Sequence, residues 1–188
     1  MRDIPRQTIL RAAEGDVDAF AEIYRASSGL VYNTALRITA SKEDAEEVTQ
    51  DVFMKVYRGL RNFRFQSSFK TWIYRITANT AINKYKKRKR EKMRTVEYDD
   101  SIETGHAAEN AEKEIYKSDN EKLIRSILDM LNPDQRACIV LRNIEGLSYE
   151  EIAKTLRINI NTVRTRLKRA RTKILEKFGK EGERDEVR

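Results

Sequence analysis

The 188 residues include one cysteine, one histidine, two prolines and seven glycines. A single thiol, Cys138, leaves no partner for a disulfide within the chain, and the near-absence of cysteine points to a reducing compartment, the cytoplasm. His106 and Cys138 each stand alone, so no Cys/His cluster offers itself to zinc, and neither a metal nor a cofactor is expected. No apolar run approaches the ~20 residues needed to cross a bilayer. The opening MRDIPRQTIL lacks the apolar segment of a signal peptide, so no membrane insertion is expected. So few chain breakers argue for helices and against a barrel or sandwich with many turns. The length permits one or two small domains and excludes a large multidomain enzyme.

What the chain has in excess is charge. Lys and Arg number 38 against 30 Asp and Glu, for a net charge of +8 and an isoelectric point near 9.5. Such a balance suits a polyanionic partner, either nucleic acid or an anionic membrane surface. The charge is also segregated. Residues 84–92 (KYKKRKREK) carry +6, residues 93–121 carry −6, and residues 157–173 carry +7 with no acid. The acidic stretch is poor in apolar residues and reads as a flexible linker over 93–118. It separates a domain at 1–92 from a second at 119–188.

Both halves read as helical, so the fold class is all-α, two small helical domains on a flexible acidic tether. Ile9, Leu10 and Ala13 begin one helix, which Gly15 and Asp16 end. Phe20, Ile23, Tyr24, Val31, Tyr32, Ala35 and Ile38 recur at helical spacing. Ser41 suits an N-cap, with Glu43 and Asp44 in the first turn. In the helix that follows, Val48, Val52, Phe53, Val56, Tyr57 and Leu60 share one side and Glu47, Gln50, Asp51, Met54 and Arg58 the other. A loop, NFRFQSS, leads into a long helix from about Ser68 through the basic run, with Phe69, Trp72, Ile73, Ile76 and Thr80 on one face. Trp72 reads as core, and Cys138 as packing.

In the second half, Leu123, Ile124, Ile127, Leu128 and Leu131 form a narrow stripe. Asn132-Pro133 ends that helix and starts the next, with Pro133 at a first helical position. Ala137, Val140, Leu141 and Ile144 follow at i, i+3, i+4 and i+7, and Gly146 ends the run. Ser148-Tyr-Glu-Glu151 has the form of a capping box. A short helix bearing Ile152, Ala153 and Leu156, a tight turn, and a basic helix from about Asn159 to Phe178 complete the chain. Two helices joined by a short turn, the second rich in Arg and Lys, make the layout of a DNA-reading helix-turn-helix. Val163, Leu167, Ala170, Ile174 and Phe178 face inward, against Ile152, Leu156 and Ile144. Asn161, Thr162, Arg164, Thr165, Lys168 and Arg169 are left to meet DNA, since Arg and Lys reach guanine edges, Asn reaches adenine and Thr a methyl or phosphate. Arg166 lies toward the flank, where phosphate contacts set register.

The stretch LNPDQRACIVLRNIEGLSYEEIAKTLRININTVRTRLKRARTKI resembles region four of bacterial sigma factors. SKEDAEEVTQDVFMKVYRGLRNF followed by SSFKTWIYRITANTAINKYKKRKR resembles their region two. Two motifs in this order, with a short linker in place of a third domain, are similar to the extracytoplasmic-function (ECF) branch of that family. The resemblance implies a subunit that lends promoter recognition to RNA polymerase and catalyses no covalent step itself. Region four would read the −35 element of promoter DNA as duplex and meet the polymerase β flap; region two would open the −10 element and dock on the β′ clamp helices. An anti-sigma factor is implied as a further partner.

Residue by residue, the resemblance puts Gln50 and Asp51, with Asp44 and Glu47 beside them, on the polymerase-binding face. It makes Asn62, Phe63, Phe65 and Ser67 the −10 loop and Asn79 the companion of a flipped-out base, with Tyr74, Arg75, Asn83, Lys84, Lys86 and Lys87 along the backbone track. Phe63 and Phe65 suit pocket and core alike. The acidic linker suits either a mimic of nucleic acid in the polymerase channels or a solvated spacer. Asn161 departs from the small residue frequent at its position, and −35 choice depends on such departures. A free operator-binding regulator would account for 119–178 but leaves the region-two resemblance unexplained. An enzyme is not supported, for there is no phosphate loop and no Ser/His/Asp arrangement.

Overall fold

A computed structural model describes residues 4–96 and 119–185. Its helices are α1 (Arg6–Ala13), α2 (Val17–Thr39), α3 (Lys42–Gly59), α4 (Phe69–Val96), α5 (Asp119–Asp129), α6 (Pro133–Ile139), α7 (Tyr149–Leu156) and α8 (Ile160–Asp185). A 3₁₀ turn follows α3 at Leu60–Asn62, and a π-helical segment follows α6 at Val140–Ile144. The acidic stretch 97–118, with His106, lies outside the described residues. Helix α4 carries on to Val96, past the expected boundary at 92, and α8 runs beyond Phe178, whose side chain is also outside the description.

The first half is a bundle of α2, α3 and α4 with α1 laid against α2. Gly15, at φ +103°, reverses the chain between α1 and α2. Asp16 then caps α2, accepting from the Ala19 N–H at 3.0 Å and from Arg11 at 2.8 Å. Those two donors hold its carboxyl below the usual range. Ser41 caps α3 by accepting from the Asp44 N–H, as the sequence suggested. Ile23, Val31, Ala35 and Ile38 of α2 and Val48, Val52 and Val56 of α3 are buried with Ile73 and Ala78 of α4. Each large aliphatic side chain removed from water there contributes roughly 2 kcal/mol. Trp72 is core, its ring 4.9 Å from Phe63 and 5.5 Å from Phe69. Tyr57, expected on the buried stripe of α3, is instead exposed at the stripe's edge, where the Phe20 ring meets it edge-on at 5.1 Å.

In the second half, α6 and α7 each begin with a side-chain cap. Asn132 and Gln135 form a reciprocal capping box around Pro133, and Ser148 and Glu151 form another at α7. Val163, Leu167 and Ala170 of α8 are buried with Ile152 and Leu156 of α7. Two expectations change here. Leu123 and Ile124 remain exposed, because burial of the α5 stripe is concentrated at Leu128 and Leu131. Ile144 is exposed as well, since the π segment, closed by the Glu145 N–H on the Val140 carbonyl at 3.0 Å, adds a residue to the turn and rotates Ile144 off the stripe.

The two halves pack together, α6 and α7 lying on α2 and α4. The seam is polar. Tyr74 donates from α4 to the Glu145 carboxylate, and Thr34 and Arg37 of α2 approach the same group at 3.5 and 3.6 Å. Asn79 donates to the Thr155 carbonyl at 3.0 Å, and Lys86 pairs with Asp134 at 3.1 Å. Arg136, only 3% exposed, donates to the Ile38 carbonyl at 3.2 Å and so caps the carboxyl end of α2 from the other half of the molecule.

Ile23→Ala, which empties a fully buried site, is expected to lower the unfolding free energy in a urea titration by about 3 kcal/mol. Ser148→Ala removes one cap and is expected to lower it by about 1 kcal/mol. Equal costs at the two positions would contradict this packing.

Candidate nucleic-acid interface

Helix α8 opens on Asn159, whose side chain accepts from the Asn161 N–H at 2.8 Å while its carbonyl accepts from Thr162 and Val163. With Val163, Leu167 and Ala170 buried, the 3.6-residue period turns Asn161, Arg164, Thr165, Lys168 and Arg169 to solvent. Arg164 donates to the Asn161 side chain at 3.1 Å, which fixes the two as a pair at the start of the helix. The Thr165 hydroxyl bonds back to the Asn161 carbonyl at 2.8 Å. Thr162 is half-buried. Arg166 lies on the flank, as expected, where it faces α6, half-buried, paired with Asp134 at 3.3 Å and beside Cys138. Burial pushes the Cys138 thiol up to about 11, so it stays protonated and packs, as read.

The loop after α3 holds Asn62 and Ser67 at the surface and Phe63 and Phe65 half-buried, their rings 4.7 Å apart. Both aromatics pack against the core without being sealed in it. Along α4, Asn83, Lys86 and Lys87 are exposed, while Arg75, Asn79 and Lys84 are half-buried. Tyr74, expected on an open track, is 1% exposed because α7 and the Glu145 turn cover it. Burial, then the hydrogen bond to Glu145, raises its phenol far above the ordinary range, so the hydroxyl remains a donor. Asn79 is turned into the same seam, donating to the Arg75 and Thr155 carbonyls at 2.8 and 3.0 Å.

On α3, Glu47, Gln50 and Asp51 stand exposed beside Met54 and Arg58, the outward face expected. Asp44 does not join them. It is 7% exposed, held by Arg88 at 2.8 Å and Lys84 at 3.9 Å, since the first turn of α3 tucks against the basic end of α4. Lys84 also bonds Glu47, the main reason its ammonium is held above its usual range. The acidic start of α3 thus neutralises part of the α4 track, while Lys87 pairs loosely with Glu91 at 3.8 Å.

Sequence reasoning missed Glu145, Arg136, Asp134 and Thr155, the residues that close the seam. Arg136 carried one signal, a lone cation beside the apolar positions Ala137 and Val140; the others pair only across the fold. Among the described residues no group of three or more His, Cys, Asp or Glu is placed to hold a metal, and no helix is long and apolar enough to cross a membrane.

Glu145→Ala removes the acceptor of Tyr74 and the partner of Arg37. Loss of a charged hydrogen bond costs about 1.5–3 kcal/mol, about ten- to a hundredfold in the closed population. Nitration of Tyr74, followed by peptide mass, is expected to rise at least about tenfold; unchanged protection would mean that the polar node does not hold the seam.

Residues 23–91 match the family Sigma-70 region 2, and residues 121–174 match Sigma-70, region 4. The chain is similar to the ECF RNA polymerase sigma factor SigE of Mycolicibacterium smegmatis, 34% identical over 182 residues that cover 95% of this chain and 70% of that one. It is also similar to the RNA polymerase sigma-H factor of Pseudomonas aeruginosa, at 34% identity over 90% of this chain and 91% of that one. Among solved structures, the sigma factor RpoE of Bartonella quintana, crystallised with the anti-sigma factor NepR, superposes with a TM-score of 0.61 at 25% identity, covering 85% of this chain and 96% of that one. With both regions matched in order and relatives of this identity aligned along most of its length, the chain belongs to the ECF RNA polymerase sigma factors, a family that acts in transcription initiation without enzymatic activity of its own.

Proposed function

We propose that α8 reads the −35 element in the major groove, that the loop 62–68 with Asn79 captures the opened −10 strand, and that the exposed face of α3 docks on the β′ clamp helices of RNA polymerase core, region four meeting the β flap. The observation that carries this division is the separation of two surfaces. One is a duplex-sized cationic helix face with Asn161, Arg164, Thr165, Lys168 and Arg169 exposed together. The other is an aromatic loop leading into a basic helix. Duplex reading calls for the first, and stacking of unpaired bases calls for the second.

The closed seam adds a condition. Elements named −35 and −10 lie roughly 20–25 base pairs apart, roughly 70–85 Å of duplex at about 10.5 base pairs per turn. Two halves in contact cannot reach both. The 22 residues between α4 and α5 could span at most about 75 Å when extended, which suffices once the halves part. Parting also frees Tyr74 and Asn79. In the free chain, then, the −35 face of α8 and the loop 62–68 are open, while the −10 readers Tyr74 and Asn79 are covered. Control by an anti-sigma factor is part of the proposal, supported by the Bartonella quintana protein having been solved with one. The cytoplasm, where RNA polymerase acts, is the expected location.

Reconstitution with core polymerase and run-off transcription from genomic fragments tests the reading. Arg164→Ala is expected to weaken use of particular −35 sequences, with a loss of about 1–3 kcal/mol at the affected base. Asn79→Ala is expected to slow strand opening and leave −35 binding intact. Failure of both variants at the same step would contradict the division of labour.

A further inference from the structure

At the amino-terminal end of α4 the loop 63–68 folds back toward the start of the chain and leaves a hollow of about 320 Å³. Its floor is apolar, made by the buried side chains of Ile9 and Phe69. One wall is Phe65, whose φ of +55° places a bulky residue in the left-handed region. Side chains with a Cβ avoid that conformation, and it persists where the surroundings over-determine it, commonly at functional loops. Here the Phe65 ring lies between Phe63, at 4.7 Å, and the Arg6 guanidinium, at 4.6 Å from its centroid. Arg6 is exposed and has no carboxylate partner among the described residues. Lys70 also lines the hollow, its ammonium lying 5.7 Å from the Tyr74 ring centroid, and the Ser67 hydroxyl makes no hydrogen bond among the described residues.

An apolar floor, an aromatic wall and two cations above it form a site for an unpaired nucleotide. A base meets the floor and stacks on the flat guanidinium that Phe65 supports, and its phosphates meet Arg6 and Lys70. The volume is at the low end for small-molecule sites, enough for one base rather than several. None of its lining comes from the second half, so closure of the seam leaves it open while Tyr74 and Asn79 are covered. Arg6 precedes the region-two match at 23–91, so that match gives it no role. We infer that this hollow receives one base of the opened promoter strand, with Arg6 as a specificity-determining residue. The inference rests on the reading of 62–68 as the −10 loop and adds a second base-binding position to it.

The test uses holoenzyme assembled from core polymerase and the full chain. The probe is a fluorescein-labelled single strand carrying the −10 region and the bases downstream of it, from a promoter that run-off transcription has identified. An abasic site is moved along it one position at a time. For the wild type, one position is expected at which removal of the base weakens binding about tenfold. Arg6→Ala is expected to weaken binding of the intact strand by a similar factor and to lose discrimination at that position. Arg6→Lys, which keeps the charge and loses the plane, is expected to recover overall affinity but not discrimination. Ser67→Leu, which fills the hollow from an exposed position, should reproduce the loss. The inference is overturned if Arg6→Ala binds as the wild type does, or binds weakly yet still senses the same abasic position. If Asn79→Ala impairs strand opening while Arg6→Ala changes nothing, the hollow alone fails. If wild-type holoenzyme does not bind the strand, the −10 reading fails and the hollow fails with it.

Discussion

One helix is wanted by more partners than it has faces. From Phe69 to Ile82 no residue of α4 is exposed, although the segment includes Lys70, Arg75 and Asn79. Two sides of it complete the core with α2 and α3, and that core cannot be given up without unfolding the first half. The remaining side, with Tyr74 and Asn79, is the one proposed to follow the opened DNA strand. In the free chain α7 occupies it. On that proposal promoter DNA and the protein's own second half compete for one surface, and the rest of the architecture can be understood from that competition.

One cluster of buried apolar side chains runs through both halves, and polar contacts mark the seam between them. Its hydrogen bonds and ion pairs are each worth on the order of 1 kcal/mol net because water replaces them when they part, and the Arg136 guanidinium also lies over the Tyr85 ring at 5.9 Å. Two buried polar atoms in the described residues lack partners, the Arg136 Nε and the Thr155 hydroxyl, and both belong to seam residues. An unsatisfied buried group costs about 1–3 kcal/mol, so the closed form is left short of its full strength. The desolvated Arg136 guanidinium, held below its usual range by burial, adds to that cost. Such an interface holds its halves together yet yields to a partner that binds them apart. The loop hollow under Arg6 lies outside this competition and remains open in either state.

What the sequence revealed was mostly local. The Ser41 cap, the Ser148 box, the start at Pro133, the core role of Trp72 and the exposed row on α8 follow from residue type and helical period, and each is where it was expected. The residues whose surroundings a helical wheel does not show have long-range contacts. Asp44 and Glu47 look alike on a helical wheel, and both meet basic residues of α4, but Asp44 is buried there beneath Arg88, 44 residues further on, while Glu47 stays exposed beside Lys84. Arg166 was assigned to phosphate because it is basic; Asp134, across the helix pair, draws it inward. The π segment leaves no periodic signature, yet it moves Ile144 out and aims Glu145 at Tyr74. Nothing in the sequence singles out Arg6, since its contact with Phe65 arises only when the loop folds back on the start of the chain.

The most direct test of this competition is a distance. With donor and acceptor dyes on cysteines replacing Arg25 in α2 and Glu150 in α7, both exposed and outside the proposed binding faces, energy transfer reports the separation of the halves. The free chain should show high transfer, and the chain bound to polymerase core and promoter should show a separation greater by tens of ångströms. An unchanged separation on promoter binding would contradict the account, as would a free chain already as extended as the bound one.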